Sequence, residues 1–189
     1  MTGPPTNILH INDVEPLPSD LAGAYPLFDA GDLVVSVKRL HLVFVFDPDS
    51  MTVKWHAADP FVAQHDPDFI GNGWISVFDN QDDGTGRGSV LGGSRIVAVQ
   101  PHTDSTKVLF PTEHSEPFHT GSQGRWELLD HGNTRLTETE SGRISRARRW
   151  DLCVRRHNPD DGSVSVSAAS MPPGVSSSLK SAGMRGTCP

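Results

Sequence analysis

Short apolar, β-rich runs alternate with Gly, Asp, Asn and Pro along the first three quarters of the chain. Residues 32–37 (DLVVSV), 42–47 (LVFVFD) and 51–55 (MTVKW) are rich in β-branched and aromatic side chains and are separated by turn formers. Asp47, Pro48, Asp49 and Ser50 make a tight connection between the last two. This pattern predicts an antiparallel meander. It recurs at residues 73–78 (GWISVF), 95–99 (RIVAV) and 107–110 (KVLF), and a third copy begins at 124–129 and 133–138. Gly31, Gly73 and Gly132 lead the copies, 42 and 59 positions apart, which approaches the length of a propeller blade once a long loop is allowed in the second interval. No stretch of comparable length carries the 3.6-residue periodicity of an amphipathic helix.

The fold class predicted is therefore all-β: a partial β-propeller of two to three four-stranded antiparallel blades, with a β-sandwich as the structural rival. Propellers close with about 4 to 8 blades. A set of two or three leaves edges and faces uncovered, so the chain reads as part of a longer protein or as one that takes its missing blades from a partner chain.

Composition changes near residue 143. Residues 1–142 hold 8 basic and 20 acidic side chains, whereas 143–189 hold 8 basic and 3 acidic. The expected organisation is a propeller-like domain over 1–144 and an irregular, Arg/Ser-rich tail over 145–189, with a short strand allowed at 162–166. The whole chain, 189 residues with a formal net charge of -7, does not suit a nucleic-acid binder that gains affinity by neutralising phosphates. No apolar run reaches the roughly 18 residues of a spanning helix, and the first residues carry no signal-peptide pattern, so no membrane segment is expected and localisation stays open. Cys153 and Cys188 form neither a disulfide framework nor a zinc pattern.

The candidate chemistry lies in polar segments beside the strands. His10 and Asn12 sit two positions apart in LHIND, so an extended backbone places them on one face. His65 lies in AQHDPDF, ahead of the second meander. Inner strands of a propeller line its central channel, where imidazoles from successive blades converge to act as nucleophile, base or ligand. The plainer use of each histidine is to cap a turn or bond the backbone. Lys38 and Arg39 follow DLVVSV; alternation turns one of them toward the channel, where a cation suits an anionic ligand, and the plainer use is a solvated strand end.

Three weaker patterns fail on their own terms. Residues 79–84 (DNQDDG) resemble a calcium loop, but Gln81 stands where Asp or Asn belongs and Val90 where the closing Glu belongs. His114 and His119 lack HExxH spacing, and Pro117 opposes a helix between them. Gly84 to Gly88 (GTGRG) has neither a Walker lysine nor a following helix.

Taken together, LHINDVEPLP, GDLVVSVKRLHLVFVFDPDSMTVKWH, QHDPDFIGNGWISVFDN, GGSRIVAVQP and HGNTRLTETESGRI resemble the bacterial arylsulfate sulfotransferase family over about residues 7–144. The resemblance implies a six-bladed propeller that moves a sulfuryl group from a phenolic sulfate ester to a phenol, in two displacements, without a nucleotide donor. By it, His65 matches the histidine that is transiently sulfated. His10 and Asn12 match the pair that contacts the sulfuryl oxygens, and Lys38 falls where the family usually has arginine. Lysine keeps the charge but loses the two-pronged guanidinium geometry. Neither cofactor nor metal is implied; the partners are an aryl sulfate donor and a phenol acceptor. Family members are often exported. Asp66 and Asp79 are further candidates for orienting an imidazole. Two other functions stay open at this point. One is a catalytically silent propeller module for binding or assembly; the other is a metal-dependent propeller hydrolase using Asp66 or Asp79.

Overall fold

A computed structural model of the chain describes residues 9–81, 93–112, 118–129, 134–139, 142–148, 151–157 and 164–168. The described residues form three antiparallel meanders, each with its strands in sequence order. The first joins β1 (Ile11–Pro16), β2 (Leu33–Val37), β3 (Leu42–Asp47) and β4 (Thr52–Ala57). The second joins β5 (His65–Phe69), β6 (Ile75–Asp79), β7 (Arg95–Gln100) and β8 (Ser105–Phe110). The third joins β9 (Arg125–Leu128), β10 (Thr134–Glu138), β11 (Arg143–Arg148), β12 (Asp151–His157) and β13 (Val164–Ala168). The chain is all-β, and its four-stranded sheets have the form of propeller blades.

Two compact units divide the chain, Met1–Gly124 and Arg125–Pro189. The expected division into 1–144 and 145–189 rests on composition, whereas compactness divides the chain after Gly124. The ladder from Thr134↔Ala147 to Glu138↔Arg143 carries the third sheet across the compositional change. Val164–Ala168 overlaps the short strand allowed at 162–166. Gly84 to Gly88, His114 and Cys188 lie outside the described residues, as does Gly132.

In the first unit the two sheets pack face to face. Val34, Val43 and Val45 of one and Phe69, Ile75, Val77, Val97 and Val99 of the other share a core with Tyr25, Phe28 and Phe61. Alternation produces this: Val34 and Val45 are register partners, so both point to one side, while Val35 and Phe44 form the adjacent pair on the other. Each large apolar side chain so buried contributes about 1.5–3 kcal/mol. Tyr25 adds a polar stitch. Its hydroxyl donates to the Trp74 carbonyl at 2.7 Å and accepts from the Gly71 N–H at 2.8 Å, and burial pushes its pKa up to about 12.

Each blade begins one strand earlier than its most apolar strand. β1 (INDVEP) and β5 (HDPDF) are polar and contain proline, which hid them from the apolar pattern. Both are edge strands, paired on one side only, so Pro67 costs no ladder bond with a second neighbour. Both also carry a register irregularity at the start, between Ile11 and Asp13 and between His65 and Asp68. Such bulges re-aim side chains. Gly31 and Gly73 lie in the connection between first and second strands, with φ of 91° and 76°.

Candidate functional site

The starts of β1 and β5 come together in the first unit. The His10 and His65 rings lie edge to face with centroids 6.3 Å apart. His10 has a left-handed backbone, φ 53°, and its carbonyl accepts the Lys38 N–H at 3.0 Å. Lys38 opens a 3-10 turn, Lys38–Leu40, directly after β2. That turn keeps Lys38 half-buried and Arg39 exposed, so Lys38 is the member of the basic pair turned inward.

His65 is only 7% exposed. Its Nδ1 lies 2.6 Å from Asn80 Oδ1. The roles in that bond follow from the other side of the amide: Asn80 Nδ2 donates to the Thr120 carbonyl at 2.8 Å and to the Gln123 carbonyl at 2.6 Å. Both of its hydrogens are thus committed to oxygens that can only accept, and the remaining amide atom must be the acceptor. His65 Nδ1 therefore carries the proton, and in the neutral ring Nε2 carries the lone pair. Desolvation by burial lowers the pKa of His65, with smaller contributions in the same direction from the Lys38 and His10 charges; the Asn80 bond opposes them. The result is an imidazole biased toward its neutral form, with its lone pair on Nε2.

Asn12 is tied to the backbone just ahead of His65. Its Nδ2 donates to the Gln64 carbonyl at 2.8 Å, which leaves one amide hydrogen free for a ligand, and its buried Oδ1 has no donor among the described residues. Gln64 is fully buried. Its Nε2 reaches Ser36 Oγ at 3.2 Å, the Val37 carbonyl at 3.4 Å and the Leu42 carbonyl at 2.9 Å, anchoring the backbone ahead of His65 to the first sheet. All four sequence candidates, His10, Asn12, Lys38 and His65, thus belong to one locality.

Asp79 has a structural task. Its carboxylate accepts from Arg95 Nε at 2.7 Å and from the Val62 N–H at 2.7 Å, so the group that orients the imidazole is its neighbour Asn80. Asp79, Asn80 and Gln81 are all buried; the Asp79 carboxylate and Asn80 Oδ1 are used within the protein, and Gln81 Nε2 donates to Asp79 Oδ2 at 3.2 Å while Gln81 Oε1 has no donor among the described residues. Among the described residues no group of three or more His, Cys, Asp or Glu side chains is placed to hold a metal ion.

Asn80, Gln64 and His41 are the residues that sequence reasoning missed. Their signal was topological. β5 and β6 are antiparallel, with His65 opposite Phe78, so the end of β6 must lie beside the start of β5. A run of polar residues closing an otherwise apolar strand, Asp79-Asn80-Gln81, marks that end.

A family model described as arylsulfotransferase (ASST) matches residues 2–157. No curated protein matches the chain, and no solved structure does.

Proposed function

The chain belongs to the arylsulfotransferase family, and on that premise we propose that it moves a sulfuryl group from a phenolic sulfate ester to a phenol through a sulfated His65. In the first displacement the lone pair of His65 Nε2 attacks sulfur. The N–S bond forms as the S–O bond to the aryl group breaks, and the phenolate leaves and takes up a proton. In the second, the acceptor hydroxyl oxygen attacks the same sulfur, the N–S bond breaks, and His10 takes the acceptor proton. Lys38, the free Asn12 amide hydrogen and His10 before it acts as base are the donors available to the sulfuryl oxygens. Lysine supplies charge without the planar fork of arginine, so Lys38 acts as a point charge.

The observation that carries this reading is the fixed tautomer of His65, with Nδ1–H held by Asn80 and Nε2 left as nucleophile beside a second imidazole. A histidine that merely caps a turn has no need of a neutral, oriented ring. The outward face of the first sheet supports the further reading that a partner chain supplies another blade. Val14 and Val53 are 44% and 55% exposed there, in line with the half-buried Phe44 and Phe46.

Mixing the chain with 4-nitrophenyl sulfate and following both nitrophenol release and peptide mass tests the reading. A sulfo adduct on the peptide holding His65, discharged by an added phenol and lost in His65→Ala, is the expected outcome. Folded protein that yields neither adduct nor nitrophenol, even with a partner supplying further blades, would overturn it in favour of a silent binding module.

A further inference from the structure

The backbone that leads into His65 is held at nearly every residue. The Pro60 carbonyl accepts from Arg95 Nη2 at 2.8 Å, and Val62 is tied through its N–H to Asp79 and through its carbonyl to the Gln81 N–H. The Gln64 carbonyl accepts from Asn12 and from Ser36 Oγ. Between them, the Ala63 N–H donates to His41 Nδ1 at 2.9 Å. Ala63 is 2% exposed and has φ 55°, a left-handed conformation that costs a non-glycine residue about 1 kcal/mol or more and persists only where neighbours impose it. Its backbone also interacts with the His65 ring. His41 itself ends the Lys38–Leu40 turn, in the left-handed region at φ 52° with its N–H on the Lys38 carbonyl at 3.1 Å. One turn therefore presents the Lys38 charge, bonds the His10 carbonyl and grips Ala63.

We propose that His41 is a positioning residue for His65: its imidazole, accepting the Ala63 N–H through Nδ1, sets the point from which His65 Nε2 reaches sulfur. This rests on the reading of His65 as the sulfuryl carrier. His41 need not touch substrate. A displacement of about 1 Å at an attacking atom costs on the order of 100-fold in rate, so one tether on the approach segment acts on the chemical step and leaves donor binding unchanged.

His41→Gly and His41→Asn separate this role from a general structural one. Glycine accepts φ 52° without strain but removes the acceptor. Asparagine tolerates the left-handed region and places Oδ1 about where Nδ1 stood. Single-turnover sulfation of His65 by 4-nitrophenyl sulfate is expected to slow roughly 10- to 100-fold in His41→Gly, with KM within about 3-fold of the parent. His41→Asn, and His41→Gly with added imidazole, are expected to recover most of that loss. A glycine variant sulfated at the parental rate, or an asparagine variant as slow as the glycine one, overturns the proposal. Carbethoxylation of His65 by diethyl pyrocarbonate, followed by peptide mass, supplies a readout that needs no sulfuryl transfer. Its rate is expected to change in His41→Gly and be restored in His41→Asn. If the parent protein never forms sulfo-His65, the carrier reading fails, and equal carbethoxylation rates across the three proteins then overturn the positioning role separately. Should His41→Gly not fold, His41→Gln, whose acceptor lies one bond farther out, takes its place with the same expected slowing.

Discussion

An imidazole attacks from the nitrogen whose lone pair is free, and at His65 the neighbouring Asn80 makes that choice. Leucine at position 80 has similar volume and no acceptor, so both tautomers become available, the Gln123 carbonyl loses its donor and the Thr120 carbonyl keeps only Ser94 Oγ. Asn80→Leu is expected to slow sulfation of His65 by about 10²–10³-fold, read by rapid quench and peptide mass. The pH profile follows from the lowered pKa of His65, since only the neutral ring attacks. The acid limb of nitrophenol release should lie below 6.5, the usual imidazole value. Lys38→Met removes a charge that disfavours the imidazolium, so the limb should move to higher pH; a limb that stays in place would show that Lys38 does not act on His65. His10, His65, Asn12 and Lys38 were legible as single residues because each stands out against the apolar runs, whereas His41 was passed over. Asn80 was not legible, because its role depends on Thr120 and Gln123, 40 and 43 positions downstream.

The strands that open at the candidate site, β1 and β5, are the least strand-like in sequence. β5 contains three charged or titratable residues and a proline in five positions, and it forms because β6 offers it a ladder and because Phe69 and the ring of His65 are buried. Elements such as β2, β3, β6 and β7 were readable from their runs of β-branched and aromatic residues between turn formers. β1 and β5 needed a neighbour. The connections that hold them are correspondingly sensitive. Tyr25→Phe deletes a hydroxyl that both donates to Trp74 and accepts from Gly71, and is expected to cost about 1–2 kcal/mol by urea unfolding. A Cβ at Gly93, where φ is 91°, would stand 2.3 Å from the Phe118 carbonyl oxygen. The Ser94 N–H bonds that same oxygen, and Ser94 Oγ accepts the Thr120 N–H, so Gly93→Ala disturbs the segment that anchors Asn80. A loss of roughly 2 kcal/mol or more, with slowed His65 sulfation, is expected; unchanged stability and rate would show that the segment adjusts.

At the scale of the molecule, two buried groups bound the pH range of stability. His65 has a lowered folded pKa, so below 6.5 the unfolded chain binds the proton that the folded chain resists. Stability should therefore fall as pH drops from 6.5 toward the folded value. Tyr25 works at the other end: its pKa, raised to about 12 from 10.0, makes the unfolded chain lose its proton first. Stability should fall again as pH rises from 10 toward 12. Urea midpoints across this range are expected to be highest between the two, with the acid slope reduced in His65→Phe.

The all-β antiparallel character, the meander order and the prominence of His10 and His65 were determined by the sequence alone. Alternation, turn residues and isolated polar positions are local properties, visible within a few residues. Which polar group serves which was decided by the tertiary structure. The end of β6 comes to lie beside the start of β5, the turn after β2 beside the segment before β5, and residues 120–123 behind Asn80. Buried donors and acceptors must find partners wherever folding brings them, and those partners are remote in the chain. The tautomer of His65 and the grip of His41 on Ala63 therefore exist only once the two sheets have packed.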